Sequence, residues 1–216
     1  MHSRLMVPRE LGIGVTMGES DVSGSQGVVM PAAVEEPVRR VPMSLASFLA
    51  LDPPEGVRAE WVDGLAVMSP TGTRPHQLVA KRLVRLIEDA LDGVEAYQEG
   101  GISLARSRRI ADVFVEVVGA DSGDEVWNTV MPLLVAEVIS PSSRTEDRVR
   151  KLDEYLAGGI GYYLLVDRFE NTLVALRNDG GVWTPVLELD TQTPAGRLVV
   201  GEHGTVDLDL TALFAF

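Results

Sequence analysis

Residues 133–139, LLVAEVI, form an apolar run that is interrupted by a single acid, Glu137. A continuous apolar run of this kind predicts a β-strand that is covered on both of its faces. A Ser-Pro-Ser break at 140–142 ends the strand, and a helix is predicted over roughly residues 144–157. YYLLVD, residues 162–167, then predicts a second buried strand. This order of strand, helix and strand is typical of an α/β domain.

The segments on either side complete the pattern of a mixed central sheet flanked by helices. Upstream, RAEWVDG and LAVMSP predict two short strands that are joined by a hairpin turn at Asp63-Gly64. Apolar residues at helical spacing predict a helix from Pro75 to Leu91, and IADVFVEVV predicts a further strand. After YYLLVD the pattern is all β, so we expect C-terminal β-hairpins that extend or cover the sheet.

Composition indicates one domain preceded by a tail. The chain has 216 residues, of which 45% are hydrophobic, enough for a sizeable core. Residues 1–42 have no sustained periodicity, so we expect a flexible tail there and a folded domain over 43–216. No cysteine is present, which excludes disulfides and cysteine-ligated zinc. The sequence shows neither a signal-peptide pattern nor a long apolar span, and we expect a cytoplasmic protein.

The charge of the chain argues against one class of function. The formal net charge is −13 at pH 7. Tight, unspecific binding to DNA depends on neutralising phosphates, so it is disfavoured for a chain this acidic. A local basic cleft is still compatible with the same net charge.

Two acids lie inside strands that are otherwise apolar. Glu137 shares a strand face with apolar neighbours, where an isolated carboxylate costs on the order of several kcal/mol or shifts its pKa. It therefore requires a metal ion, a cluster of donors or a cation such as a buried Arg, unless it lies at the exposed end of its strand. Asp112 lies near the start of IADVFVEVV, where a lone Asp is also common as a turn or cap residue.

A cation lies in the helix that follows the Glu137 strand. On a regular α-helix, Val149, Leu152 and Leu156 belong to an apolar stripe, and Lys151 falls at its border. A lysine at such a border often extends toward water, but this one could equally reach back toward Glu137. The sequence leaves both orientations open.

Two carboxylates and a lysine have a chemical use together. Carboxylates on adjacent strands are suited to hold Mg²⁺, or Mn²⁺ in its place, and the metal ion activates water for attack on a phosphodiester. The lysine would orient that water or stabilise the developing charge. Glu60, in AEWVDG, is a fourth candidate, either for the metal and its water or for a surface salt bridge.

Several sequence blocks occur in an order that resembles a known family. EWVDGLAVMSP, His76 at a helix start, IADVFVEV, AEVISPSSR and KLDEYLAGGIGYYLLVD follow one another. Over roughly residues 43–216 this order resembles the Uma-two family of restriction endonucleases, a branch of the PD-(D/E)XK nuclease superfamily. The resemblance implies a restriction-endonuclease-like fold with helices on both faces of a mixed sheet. It also implies that Asp112 and Glu137 are the two acids of the nuclease motif.

The resemblance also concerns the lysine and the residues around the site. The superfamily lysine ordinarily follows the second acid by two residues, but Ile139 occupies that position here. The resemblance therefore points to Lys151 in the next helix. Ser140 and Ser142 match an SPS element of the family, and His76 matches a recurring position, so both elements are candidate contacts.

The favoured interpretation is a Mg²⁺-dependent endonuclease acting on DNA, with Asp112, Glu137, Lys151 and Glu60 as catalytic residues. Two basic clusters would bind phosphates, and they comprise Arg106, Arg108 and Arg109 together with Arg144, Arg148 and Arg150. One alternative is a catalytically degenerate nuclease fold that acts as a binding or regulatory module. Another is a structural domain whose acids are salt-bridged. Nucleases of the superfamily often dimerise to cut both strands, so a homodimer is a further expectation.

Overall fold

The computed structural model describes residues 38–120, 126–141 and 143–215. Within these ranges the elements are β1 (Arg39–Pro42), α1 (Leu45–Leu49), β2 (Val57–Val62), β3 (Leu65–Pro70), α2 (Arg74–Ala90), β4 (Val94–Ser103), β5 (Ser107–Val117), β6 (Trp127–Asn128), β7 (Leu134–Val138), α3 (Lys151–Gly158), β8 (Tyr162–Asp167), β9 (Thr172–Asn178), β10 (Trp183–Leu189), β11 (Ala195–Val200), β12 (Gly204–Asp209) and α4 (Leu210–Leu213). A π-helical turn over Glu146–Arg150 leads directly into α3. None of the described helices is both long and apolar enough to cross a membrane.

One mixed sheet organises the fold. Its strand order is β1-β3-β2-β5-β7-β8-β9-β10, while β4 pairs with β5 and β6 pairs with β4. β7 and β8 run parallel, as a strand–helix–strand unit requires, and β9 and β10 continue the sheet in antiparallel fashion. β11 and β12 form a separate antiparallel hairpin. The predicted mixed sheet with additional C-terminal hairpins is confirmed.

Helices cover both faces of this sheet. Val79, Leu83 and Ile87 of α2 are almost completely buried in a core that also takes alternate residues of β5, β7 and the β11–β12 hairpin. The face toward α3 buries both aliphatic and aromatic residues, and the rings of Tyr155 and Tyr163 meet edge-on with their centroids 5.2 Å apart. The alternation of side chains along β7 puts Glu137 on this second face. The acid that interrupts this apolar strand therefore points toward α3.

The folded domain begins earlier than expected. Arg39–Pro42 pairs antiparallel with β3, from Arg39 opposite Met68 to Pro42 opposite Leu65. These four residues therefore belong to the sheet and not to the tail, which corrects the boundary drawn at residue 43. A strand of four residues is too short to show a recognisable period in sequence. Residues 1–37 lie outside the described residues, and flexibility of that segment stays a prediction.

The helix predicted over 144–157 departs from regular α-geometry just before Lys151. The Lys151 N–H donates to the carbonyl of Glu146, five residues back, which is the hydrogen bond of a π-turn. A wider turn rotates the residues before it relative to those after it. Val149, expected in the apolar stripe, is 53% exposed, whereas Lys151, expected at its border, is only 4% exposed. The turn thus directs Lys151 into the interior.

Candidate active site

The site forms where the sheet divides beside β5. β4 pairs along one edge of β5, but the other edge is shared between two strands. β2 pairs there with residues 107–108, and β7 pairs with Val113–Val115. Between them, residues 109–112 of β5 have no strand on that side, and we refer to this gap as the fork. Buried backbone groups at the fork need other partners, because an unpaired buried N–H or C=O is costly.

Three charged side chains satisfy the backbone at the fork. The Ile110 N–H donates to Glu60 Oε1 at 2.8 Å, and the Ile110 carbonyl accepts from Arg58 Nη2. The Val138 N–H, where β7 leaves β5, donates to Asp112 Oδ2 at 2.8 Å. Arg58, Glu60 and Asp112 thus take the place of the missing strand. Their charged groups are held in position by the sheet itself.

Asp112 is 4% exposed and has a charged or polar partner on each oxygen. Oδ1 lies 2.6 Å from Arg58 Nη1, and Oδ2 lies 3.0 Å from His76 Nε2 in the first turn of α2. The register of the β5–β7 pairing brings Asp112 opposite Glu137. Directly opposed acids on adjacent strands repel each other, so this pair needs cations nearby.

Lys151 supplies a cation to Glu137. Its Nζ lies 2.9 Å from Glu137 Oε1 and 3.3 Å from Asp147 Oδ1. Glu60 Oε1 is 3.7 Å from the same nitrogen. Tyr155, one turn further along α3, donates its hydroxyl to Glu137 Oε1 at 2.8 Å. Lys151 is therefore shared by three buried acids that come from two strands and the π-turn.

Arg109 holds the segment that carries Lys151 to the sheet. Its guanidinium is completely buried and bonds both oxygens of Glu154 at 2.7 Å. It also reaches Glu146 Oε1 at 2.8 Å and Glu60 Oε2 at 3.2 Å. Glu146 precedes Lys151 and Glu154 follows it, so one arginine anchors both ends of this segment to β5. This corrects the expectation that Arg109 contacts substrate phosphates, because its side chain does not reach the surface.

The cations of the cluster lower the pKa values of two acids. Burial would raise the pKa of Glu60, but the surrounding cations, Lys151 first among them, outweigh burial and lower that pKa to about 2. Burial would also raise the pKa of Asp112, but the Arg58 guanidinium holds it well below its usual range. Both acids are therefore ionised at neutral pH.

Glu137 and Lys151 are shifted upward instead. Burial raises the pKa of Glu137 to about 8, because repulsion from Asp112 and Asp147 adds to burial and the attraction of Lys151 does not cancel them. Burial would lower the pKa of Lys151, but its three acids hold that pKa above the usual value. The lysine therefore stays protonated at neutral pH.

The donor set fits a hard divalent cation. The acids and cations that meet here are Glu60, Asp112, Glu137 and Asp147 with Arg58 and Lys151. Four carboxyl groups meet two cations here, and the raised pKa of Glu137 indicates that the cations do not offset burial and the repulsion between the acids. Mg²⁺ binds oxygen ligands, and one or two carboxylates are enough to hold it when water molecules complete its coordination shell. In the described part of the chain, no three His, Asp or Glu residues are grouped so that they could hold a metal ion.

The other arginines predicted to bind substrate have partners within the protein. Arg108 donates to two backbone carbonyls of its own turn. Arg144 and Arg148 both contact the buried Asp167, at 3.1 and 3.0 Å, and both contact the exposed Glu170. We refer to these four residues as the Asp167 cluster. A phosphate would have to displace an ion pair to bind Arg144 or Arg148.

The predicted Ser-Pro-Ser element is described only in part. Ser142 lies outside the described residues. Ser140 and Ser143 exchange hydrogen bonds between backbone N–H groups and hydroxyls at 3.1 and 3.2 Å. These hydrogen bonds close the turn after β7, so Ser140 stabilises the connection between β7 and the π-turn.

Three residues of the site escape sequence-based prediction. Arg58 lies two residues before Glu60, so both side chains lie on one face of β2. This spacing is the signal by which an ion pair between them could have been found in the sequence. Asp147 lies four residues before Lys151, the usual spacing of a helical ion pair. Tyr155 gives no separate signal, because a tyrosine in an apolar stripe resembles any other core aromatic residue.

Comparisons with known proteins place this geometry in context. The family model described as "Uma2: Putative restriction endonuclease" matches residues 45–212. The fold is similar to the crystal structure of a protein from Anabaena variabilis described as "a putative nuclease belonging to DUF820". The TM-score is 0.65 at 18% identity, over 80% of this chain and 98% of that chain. At that identity the likeness concerns the fold alone. A search of the curated proteins found no match.

Proposed function

This chain belongs to the Uma2 (Uma-two) family, and we propose that it is a metal-dependent endonuclease that hydrolyses phosphodiester bonds in DNA. Asp112 and Glu137 would bind Mg²⁺ or Mn²⁺, and Lys151 and Glu60 would complete the catalytic set. The family description supports the reaction class. The choice of DNA follows from the family description as a restriction endonuclease, and the choice of metal follows from the carboxylates of the site.

The observation that carries this proposal is the contact of a lysine from α3 with Glu137, the acid that lies opposite Asp112 in the sheet. Lys151 Nζ lies 2.9 Å from Glu137 Oε1, although Ile139 occupies the superfamily's lysine position on the strand. Opposed carboxylates beside a fixed cation are costly in a merely structural site, since the acids repel each other. Together they suit a metal ion and a negatively charged transition state.

The protonation state of each residue in the site indicates the role that it would have in the reaction. A divalent cation held by Asp112 and Glu137 would supply an activated water and offset negative charge on the phosphodiester. Lys151 keeps its proton, because its pKa is raised, and so acts as a hydrogen-bond donor to the attacking water or the phosphate and not as a base. Glu60 is ionised and held by Arg109, so it accepts a hydrogen bond from water at a fixed position.

A second candidate function is a nuclease fold that has become a binding or regulatory module. Arg58 lies 2.6 Å from Asp112 Oδ1, and His76 lies 3.0 Å from Oδ2. These contacts compensate Asp112 without a metal ion. A metal ion would have to share the Asp112 carboxylate with Arg58. In a degenerate site, Arg58 and His76 alone would compensate Asp112, and no metal ion would be needed.

Cleavage assays distinguish the two functions. Plasmid and single-stranded DNA would be incubated with wild type, Glu137→Ala or Lys151→Ala in Mg²⁺, Mn²⁺ or EDTA. We expect metal-dependent cleavage by wild type and its loss in both variants, each checked for folding by circular dichroism. Glu188→Ala, an exposed acid of β10, is the control and should cut like wild type. Cleavage that survives Glu137→Ala would remove this site from the reaction, and no cleavage by folded wild type would favour the module.

A homodimer belongs to the same proposal. Two copies would bring two sites to the two strands of a duplex, and a two-fold axis is the commonest symmetry of such assemblies. Sedimentation with and without a short duplex would measure the oligomeric state.

A further inference from the structure

Most of the cations placed so far are neutralised within the protein. Arg58, Arg109 and Lys151 are bound to acids of the site, and Arg144 and Arg148 are bound in the Asp167 cluster. These groups cannot attract phosphate without first losing a carboxylate partner. A chain of net charge −13 therefore needs another surface if it is to hold a polyanion.

The exposed face of α2 carries such a surface. Arg74, Lys81 and Arg85 are exposed, and none of them has an ion-pair partner among the described residues. At 100° per residue, offsets of seven and eleven return to within about 20° of the starting direction. The three cations therefore form a line about 16 Å long, with the exposed Gln77 beside it. We refer to Arg74, Gln77, Lys81 and Arg85 as the α2 ridge.

The N-terminal end of the α2 ridge lies beside the site. His76, in the same helical turn as Arg74, lies 3.0 Å from Asp112 Oδ2. A depression of about 420 Å³ separates this end of α2 from β4, and it is lined by Arg74, Gln77, Leu78, Lys81, Gln98 and Glu99. β4 pairs with β5 on both sides of Glu99, with Gln98 opposite Val113 and Gly100 opposite Ala111. The depression is therefore one strand away from Asp112.

We infer that the α2 ridge binds the sugar-phosphate backbone of a DNA strand and guides it toward the fork. This inference rests on the proposed endonuclease function and names the surface through which substrate is held. Each of the three cations can offset one phosphate, and the Gln77 amide can donate a hydrogen bond. The N-terminus of α2 adds the positive end of the helix dipole where the strand meets the site. The depression is lined by two cations, Arg74 and Lys81, and by one acid, Glu99, so the charge of its lining is positive.

The test compares two triple variants with equal net charge. Arg74→Gln/Lys81→Gln/Arg85→Gln removes the cations of the ridge. Arg40→Gln/Arg177→Gln/Arg197→Gln removes three exposed arginines that are ion-paired elsewhere and serves as the control. Binding of a short labelled duplex and of the matching single strand is measured by anisotropy in Ca²⁺ over a series of salt concentrations. Cleavage is measured in Mg²⁺.

We expect the ridge variant to bind DNA more weakly and to depend less on salt. Each lost phosphate contact makes the slope of log affinity against log salt shallower by about 0.9 for duplex, so three contacts give a change of about 2 to 3. In cleavage, KM should rise while kcat changes little, because the ridge does not touch the reacting atoms. The control variant should keep the slope of wild type.

The outcomes separate this inference from the function on which it rests. If wild type binds and cuts DNA and the ridge variant keeps its slope, the α2 ridge is not the DNA-binding surface, but the endonuclease stands. Equal weakening of both triple variants would show an effect of net charge and would also overturn the inference. If wild type neither binds nor cuts DNA, the proposed function and the inference fall together.

Discussion

Replacing Glu137 with Gln distinguishes a metal-binding acid from a structural ion pair. The pKa of Glu137 is raised from 4.5 to about 8, so between these values the folded protein holds a proton that the unfolded chain releases. Stability is therefore lost as the pH rises from about 4.5 to about 8, by at most about 5 kcal/mol. Glutamine does not ionise, so Glu137→Gln should show no such loss and should be more stable than wild type above about pH 8 in EDTA.

Urea unfolding across this pH range, with EDTA and then with Mg²⁺, measures the difference between the two proteins. Lys151 keeps Asp147 and Glu60 as partners at 3.3 and 3.7 Å, so the substitution does not leave it unpaired. Mg²⁺ should stabilise wild type by binding and leave Glu137→Gln unchanged. Glu188→Gln, on an exposed position, controls for the loss of an acid. A variant that is less stable by about 3–5 kcal/mol at every pH would refute this reasoning, because Glu137 would then be the ionised half of a buried pair.

Two further outcomes follow from the same cluster and its surroundings. Glu60→Gln should cost about 3 kcal/mol at neutral pH and almost nothing below about pH 2, because the pKa of Glu60 is lowered from 4.5 to about 2 and its stabilisation is lost as the pH falls through that value. Urea titrations at a series of pH values measure this, and a difference that is independent of pH would contradict it. Arg144→Gln/Arg148→Gln should leave DNA affinity and its salt dependence unchanged, since both arginines are bound to Asp167; a shallower salt slope in binding titrations would return them to the substrate surface.

Much of the fold can be predicted from sequence because its central strands have strong local signals. LLVAEVI is β7 with one residue of flank on either side, and YYLLVD is β8. Two buried strands with a helix between them are compatible with few sheet topologies, because neighbouring parallel strands need a crossover connection such as a helix. β1 is missed because its pairing with β3 depends on a partner that is distant in sequence and not on its own pattern.

A residue of the site can be predicted from sequence when its charge is unusual for the apolar segment in which it lies. Glu137 and Asp112 stand out because acids are expensive inside apolar strands. Lys151 is harder, because its inward direction depends on the π-turn, and regular helical spacing places it at a border. Arg109 looks like one of several surface arginines in sequence, and only the fold reveals its three glutamate partners.

The direction in which Lys151 points depends on the extra residue in the π-turn before α3. Removing one residue from Glu146–Arg150 would restore a regular helix and swing Lys151 by about 100°, away from Glu137. Because the ammonium reaches Glu137 from a helix and not from the same strand, the number of residues between the two can change while their contact in space is kept. The same arrangement can therefore be sought in other chains by the position of a cation in space, and not by a fixed spacing in the sequence.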